Sequence, residues 1–341
     1  MPGDRLPTRE ELWRHYRTTP VTMQRVFRKL TDEGFIVSRG WEGTFVSERP
    51  PHLNDLALVF PYKDRPERQW PEFWRALERE AVTLAANKGH ELHVSYGNET
   101  REDREAYLGL EEDVAAHRVA GLIFPSPPAY LGGSPVLQAP DIPRVAISPE
   151  PMPPNVKAVS LSGDVFNAAV QYLLGQGRRR IAWITVPAAR QYAVDALQQA
   201  QLGVPPYWVQ TSVYEDPEGA RRAVQLLMAG RGTGRPDGLV IFDDNLVESA
   251  TAGLIDAGIR VPDDLMVVAH CNFPRPTRSH VPARRLGYDV RAVLKTCVDL
   301  IDAQRRGEPV PDVTGMPLVW DDSPAAGTGS RRQRGRGTGR R

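Results

Sequence analysis

The residues of this 341-residue chain best suited to reading bases lie together near its start. Between Thr18-Thr19-Pro20 and Asp32-Glu33-Gly34, the residues Pro20, Gln24 and Arg28 recur at helical spacing, flanked by Val21 and Arg25. Glutamine can pair bidentately with adenine, and arginine with guanine or with phosphate. A second candidate is Asp243-Asp244, directly after the apolar run Gly238 to Phe242. An aspartate at the carboxyl end of a strand can accept two hydrogen bonds from a diol. The same residue can equally cap a helix over 246–257. Catalytic patterns are poorer. The run GRGTGR (230–235) lies between a helix and Pro236, without the strand before and helix after that a dinucleotide site needs. His90-Glu91-Leu92-His93 lacks the spacing of a zinc helix. His270-Cys271 stands at a strand end, and neither G-x-S-x-G nor C-x-x-C occurs. The chain is therefore not expected to be an enzyme, nor to carry a metal or cofactor.

The base-reading residues need a rigid support, and the local signals provide one. Thr8 and Glu11 form a T-x-x-E capping box, so a helix is expected from Arg9 to about Arg17, with Leu12 and Tyr16 on one face and Trp13 beside them. Thr19 as N-cap with Pro20 at the first helical position starts a second helix. Met23, Phe27 and Leu30, with Val26 alongside, form its apolar stripe, and Gly34 is placed to end it in a left-handed conformation. Phe35-Ile36-Val37 and Thr44-Phe45-Val46 can pair as strands around a tip at Arg39 to Gly43. Two helices and a two-stranded wing make a winged helix-turn-helix.

These residues resemble the N-terminal domain of GntR-family transcription regulators. GDRLPTREEL matches that family's G-[DE]-x-L-P-[ST]-x-x-x-L, VTMQRVFRKLTDEGFI its recognition helix, and EGTFV its wing. The resemblance implies DNA contacts from Thr8, Arg9, Thr19, Val21, Gln24, Arg25, Arg28 and Gly43. Arginines usual in the family are replaced by Glu10, Pro20 and Gln24, which predicts an operator other than the family's guanine-containing one. Trp41 and Glu42 replace a glycine and a basic residue of the wing. The family's first helix, which precedes Pro2-Gly3-Asp4, is absent, so either the start codon lies upstream or the domain is incomplete.

The formal charge of +1 divides unevenly. Residues 1–50 carry +2, residues 51–322 carry −7, and the tail from 323 carries +6 from six arginines. Contacts with phosphates thus belong to the ends of the chain. Two cysteines, Cys271 and Cys297, fit a reducing compartment. The polar, charged start is not a secretory signal, and no apolar run nears the roughly 18 residues that span a bilayer. A soluble cytoplasmic protein without a membrane partner is expected.

Ser47 to Asn54, with two prolines, reads as a semi-rigid linker. Beyond it strands and helices alternate. The strands expected are at 56–60, 91–96, 121–126 and 144–148, then 181–186, 207–211, 238–242 and 265–269. A helix at 289–305 and a short strand at 317–320 follow. Helices are also expected at 72–87, 101–117, 165–174, 217–228 and 246–257. This alternation predicts a doubly wound α/β sheet, given twice. The expected organisation is a winged helix at 1–48, a linker at 49–55, a bilobed sensor at 56–322 and a disordered Arg-rich tail at 323–341.

RPDGLVIFDDNLVESATAGLIDAGIRVPDDLMVVAHCN (235–272) and VSLSGDVFNAAVQYLLGQGRRRIAWI (159–184) resemble the LacI/GalR-type effector domain, a bilobed periplasmic-binding-protein-like fold of type I. A ligand in such folds lies at the carboxyl ends of strands. The resemblance implies ligand contacts from Trp70, Phe73, Ser126, Arg190, Asp244 and Cys271. Phe73 also fits the apolar stripe of its helix, and Cys271 replaces a family aspartate. An aspartate usual near Ser162 is missing. Together the two resemblances imply a ligand-responsive transcription regulator. It would be a homodimeric repressor binding operator DNA and a small effector such as a sugar. The alternative is a solute-binding module whose N-terminal segment no longer binds DNA.

Overall fold

The computed structural model describes residues 1–66, 70–88, 91–97, 103–150, 152–161, 164–230 and 234–321. In chain order it begins with α1 (Arg9–His15), α2 (Pro20–Asp32), β1 (Ile36–Ser38), β2 (Thr44–Val46) and α3 (Pro51–Asn54). There follow β3 (Asp55–Phe60), α4 (Glu72–Lys88), β4 (Glu91–Tyr96), α5 (Arg104–Ala115), β5 (Gly121–Phe124), α6 (Pro135–Gln138), β6 (Arg144–Ile147) and β7 (Lys157–Ser160). Next come α7 (Val165–Gly175), β8 (Ile181–Thr185), α8 (Arg190–Gln199), β9 (Val209–Thr211), α9 (Pro217–Met228), β10 (Gly238–Phe242) and α10 (Val247–Asp256). The chain then forms β11 (Met266–Phe273), β12 (Arg284–Asp289), α11 (Val290–Arg305), β13 (Val313–Gly315) and β14 (Val319–Trp320). No helix among the described residues is long and apolar enough to cross a membrane.

Two compact units result. The first takes Met1–Gly163 and Asp289–Pro317, the second Asp164–Tyr288 and the chain from Leu318. The first opens with the winged helix. Thr8 Oγ1 accepts from Glu11 N at 3.2 Å while the Glu11 carboxylate takes the Thr8 N–H at 2.7 Å. Thr19 Oγ1 caps α2 by accepting from Thr22 N at 3.2 Å. Gly34 ends α2 at φ +77°, a conformation that a Cβ would oppose, and the Phe35 N–H returns to the Leu30 carbonyl. Met23, Phe27 and Ile36 are the buried centre, with Leu6, Leu12, Trp13, Leu30 and Phe35 packed around them. Val26, expected beside the stripe, is instead 44% exposed. β1 and β2 pair antiparallel, Ile36 opposite Val46. Backbone bonds from Gly3, Leu6 and Val46 add the chain start to the wing as an extra edge.

The same unit holds a six-stranded sheet in the order β13-β7-β6-β5-β3-β4, every pair parallel. Leu56 to Phe60 in β3 are all buried, as a strand covered on both faces must be. The segment expected as a semi-rigid linker is anchored. α3 forms within it, Asp55 opens β3, and Arg305 Nη1 donates to the Leu53 carbonyl at 2.7 Å. Arg144 is buried at the start of β6, and its three guanidinium nitrogens donate to the carbonyls of Val136, Ala139 and Ile142 at 2.7–2.9 Å.

The second unit has a sheet in the order β14-β12-β11-β10-β8-β9. Its β9–β8–β10–β11 part is parallel and β14 runs antiparallel to β12. No strand was expected where β12 forms. Its first residues are arginines, yet Arg284 lies over the Trp320 and Tyr172 rings and 3.1 Å from Asp321, and Arg285 donates to the Thr277 carbonyl. Long stems packed on aromatic faces let arginine occupy a strand that a hydropathy pattern passes over. Gly287 is required in β12, because a Cβ there would meet the Cys271 carbonyl oxygen at 1.8 Å. The tail at 323–341, expected to be disordered, lies outside the described residues, as does Ser162.

Candidate DNA-binding and effector sites

On α2 the burial of Met23 and Phe27 turns Val21, Gln24, Arg25 and Arg28 outward, and all four are exposed. Gln24, Arg25 and Arg28 make no hydrogen bond or ion pair with any described residue. Their donors remain available to an external acceptor, which is what a phosphate or base edge supplies. The other implied contacts are partly engaged. Thr8 and Thr19 spend their hydroxyls on capping. Arg9 carries its guanidinium 5.0 Å over the Phe27 ring. Gly43, at φ +114°, lies against the Arg5 guanidinium, which a Cβ would meet at 2.9 Å. Two basic residues absent from the sequence-based set thus border the wing. Arg5 is one, and Arg39 is the other, over Phe45 and bonded to Glu48 at 3.0 Å. The α2 end is tied to the sheet of its own unit through Arg118, which bonds Glu33 at 3.1 Å and Asp113 at 2.8 Å.

At the carboxyl edge of the first sheet, Trp70 does not offer a ring face. It is 2% exposed, stacked on Phe60 at 4.0 Å, with its indole N–H given to the Tyr62 carbonyl at 2.8 Å. That makes Trp70 a core residue, which corrects its assignment to ligand. Trp74, half-buried, tilts against Phe60 and Tyr62 at 5.8 and 5.6 Å. Phe73 is half-buried in the first turn of α4, and Ser126 half-buried in the bend after β5.

In the second unit the polar groups gather at the ends of β8, β10 and β11. Asp243 adopts φ +133° and accepts from Asn245 N at 3.0 Å and Asn245 Nδ2 at 2.6 Å. The cap of the following turn is therefore Asp243, not Asp244. Asp244, 4% exposed, receives the Asn272 side-chain N–H. Burial and the neighbouring Asp244 raise the Asp243 carboxyl above its usual range. Burial holds the His270 imidazole below its own, with Asp243 opposing, and His270 Nδ1 is buried without a partner. Thr185 Oγ1, in register with Phe242, is likewise buried without one. Phe166 and Phe242 lie 4.3 Å apart, with Tyr192 5.5 Å from Phe166 and His270 5.2 Å from Phe242. An aromatic ledge beside hydroxyl, imidazole and carboxylate groups can hold the apolar face and the polar rim of one small ring.

One assignment fails here. Cys271 is fully buried, and desolvation pushes its thiol up to about 12, so it remains a neutral core group and not a ligand. Arg190, the first residue of α8, is exposed and makes no hydrogen bond or ion pair with a described residue. Thr185 and His270 were missed, although each is the polar residue that closes an apolar strand run. Among the described residues, Asp55, Glu91 and His93 bring ligand atoms within 4.8 Å of one another. Glu91 and His93 do so at strand spacing, i and i+2, where a zinc helix would use i and i+4.

Comparison with known proteins places the α/β part. Residues 170–320 match the periplasmic binding protein-like domain. The HTH-type transcriptional repressor PurR of Aliivibrio fischeri is 28% identical over 152 residues, which is 40% of this chain and 45% of the relative. PurR of Vibrio cholerae serotype O1 is 25% identical over 181 residues, covering 49% and 53%. The chain thus matches about half the length of these curated relatives, which are transcriptional repressors and not enzymes. A LacI family transcriptional regulator from Lactobacillus casei, solved with bound sucrose, superposes with TM-score 0.58 at 18% identity, over 80% of this chain and all of that one. A LacI-family regulatory protein from Chloroflexus aggregans gives 0.61 at 19%, over 77% and 96%. The fold is the α/β periplasmic-binding-protein-like type with two mainly parallel sheets. These relatives lend no support to the GntR label, which rested on the N-terminal stretch alone.

Proposed function

We propose that this chain is a ligand-responsive transcriptional repressor that binds a two-fold operator as a homodimer in the cytoplasm. The single observation that carries the reading is α2, whose apolar side is committed to the Met23–Phe27–Ile36 core and whose Gln24, Arg25 and Arg28 are left exposed and unengaged, on a chain with a LacI-type effector domain. The winged helix is of the GntR type by its motifs, with α2 in the major groove. The effector is a small polar or polyhydroxylated molecule. The sucrose held by the L. casei regulator supports that class, as do the polar groups and aromatic ledge around Asp244, His270, Thr185 and Phe242. Effector binding changes operator affinity by favouring one of two arrangements of the protein.

The test begins with a thermal-shift screen of cytoplasmic metabolites. A ligand at one hundred times its Kd adds about 2.7 kcal/mol of stability. Asp244→Ala is expected to abolish that gain, and the same ligand is expected to alter affinity for a selected duplex. A ligand that stabilises the protein yet leaves DNA affinity unchanged would favour the solute-binding alternative.

A further inference from the structure

We propose that the cavity on the amino-terminal edge of the first sheet is a second ligand site, for a small organic anion with a phosphate or carboxylate head. It offers about 940 Å³, open to solvent, and lies among residues that precede β3, β5, β6 and β7, the edge opposite the carboxyl ends of these strands. Its wall takes Phe35 from the winged helix, His52 from α3, His117 from the turn after α5, Arg144 from β6 and Arg305 from α11. A molecule held there would touch the DNA-binding segment, the linker and the sheet at once.

The chemistry of the wall points to an anion. His52 stacks on Phe35 at 5.4 Å, and neither His52 nor His117 makes a hydrogen bond with a described residue. Burial holds His52 below the usual histidine range, and Arg305 and His117 push it further the same way. These groups therefore repel one another across the cavity. Arg144 adds a buried guanidinium whose bonds all go to carbonyls, so no carboxylate offsets its charge. Asp141, which is exposed, is the acid among the residues that line the cavity. Asp302 lies 3.4 Å from Arg305, and of the acids that line the neighbouring cleft at the same edge, Glu33 and Asp113 are bonded to Arg118 while burial raises the Asp55 carboxyl above its usual range. Arg306, beyond Arg305, is paired with Glu308. An anion would remove the repulsion and let His52 take a proton, while Leu53, Val119 and Ile142 cover an apolar body.

Calorimetric titration of the full chain tests this with two probes of constant charge between pH 6 and pH 8, sulfate for a tetrahedral head and tartrate for carboxylates. Chloride at matched ionic strength is the control. At least one probe is expected to bind saturably, and at least tenfold more tightly at pH 6 than at pH 8. His52→Gln/His117→Asn is expected to weaken binding at pH 6 at least tenfold and to flatten the pH dependence. His117 sits at φ +52°, where asparagine is well tolerated, so His117→Asn alone serves if the double variant does not fold. The probe that binds identifies the head group. Absence of saturable binding at pH 6, or equal binding by wild type and variant, would overturn the site and leave an adventitious ion only. Neither result bears on DNA binding by α2.

Discussion

At the scale of the residue, a side chain's function here follows from what the core leaves over. Met23 and Phe27 take one side of α2, so Gln24 and Arg28 can face only outward. Gln24→Ala is expected to weaken binding to the preferred duplex by about 1–3 kcal/mol if it reads a base, with little effect on random DNA. Arg28→Ala is expected to weaken all sequences alike and lower the salt slope by about one, as loss of a phosphate contact does. Titrations on both duplexes over a range of salt check the pair. His270 supplies a pH prediction. Its folded-state affinity for a proton is depressed, so its contribution to stability is complete above the unfolded value near 6.5 and is lost as pH falls below it. His270→Phe is expected to reduce the loss of thermal stability between pH 7.5 and pH 5.5; an unchanged difference would remove His270 from the account. The sequence pointed to the DD pair at the end of β10 but left open which aspartate caps. Only backbone geometry, with Asp243 at φ +133°, shows which aspartate caps and which meets Asn272.

At the scale of the element, caps and apolar runs were legible because their causes are local. Thr8, Thr19 and Gly34 each act within a few residues of where they stand in the chain. Thr19→Ala is expected to cost about 1 kcal/mol of winged-helix stability, read by chemical denaturation. The elements that escaped depend on distant partners. β12 needs Trp320, Tyr172 and Asp321 around its arginines, and β13 needs β7 beside it. Trp70 was misread for the same reason, since Phe60 and the Tyr62 carbonyl that enclose it belong to the strand end and not to its own helix. The closest of these distant approaches gives a sharp test. Gly287→Ala forces β12 away from the Cys271 carbonyl, and a loss of about 3 kcal/mol is expected by urea unfolding. Stability within 0.5 kcal/mol of wild type would contradict the packing described.

At the scale of the molecule, charge and burial divide the work. Residues 51–322 carry −7, so the DNA binding we propose rests on the +2 of the first fifty residues and on the arginines beyond 322. Arg118 joins Glu33, the residue that caps α2, to Asp113 of α5, and Arg305 holds Leu53, so the N-terminal segment is bonded to the sheet of its unit. A change in that sheet can therefore reach α2 through named bonds. The most direct test of regulation through α2 is an anisotropy titration of a duplex selected from a random pool by the wild-type chain. The measurement compares wild type with Gln24→Ala/Arg25→Ala/Arg28→Ala at one salt concentration. At least a hundredfold loss of affinity is expected, with the fold intact by circular dichroism; equal affinity of the two proteins would contradict DNA binding through α2.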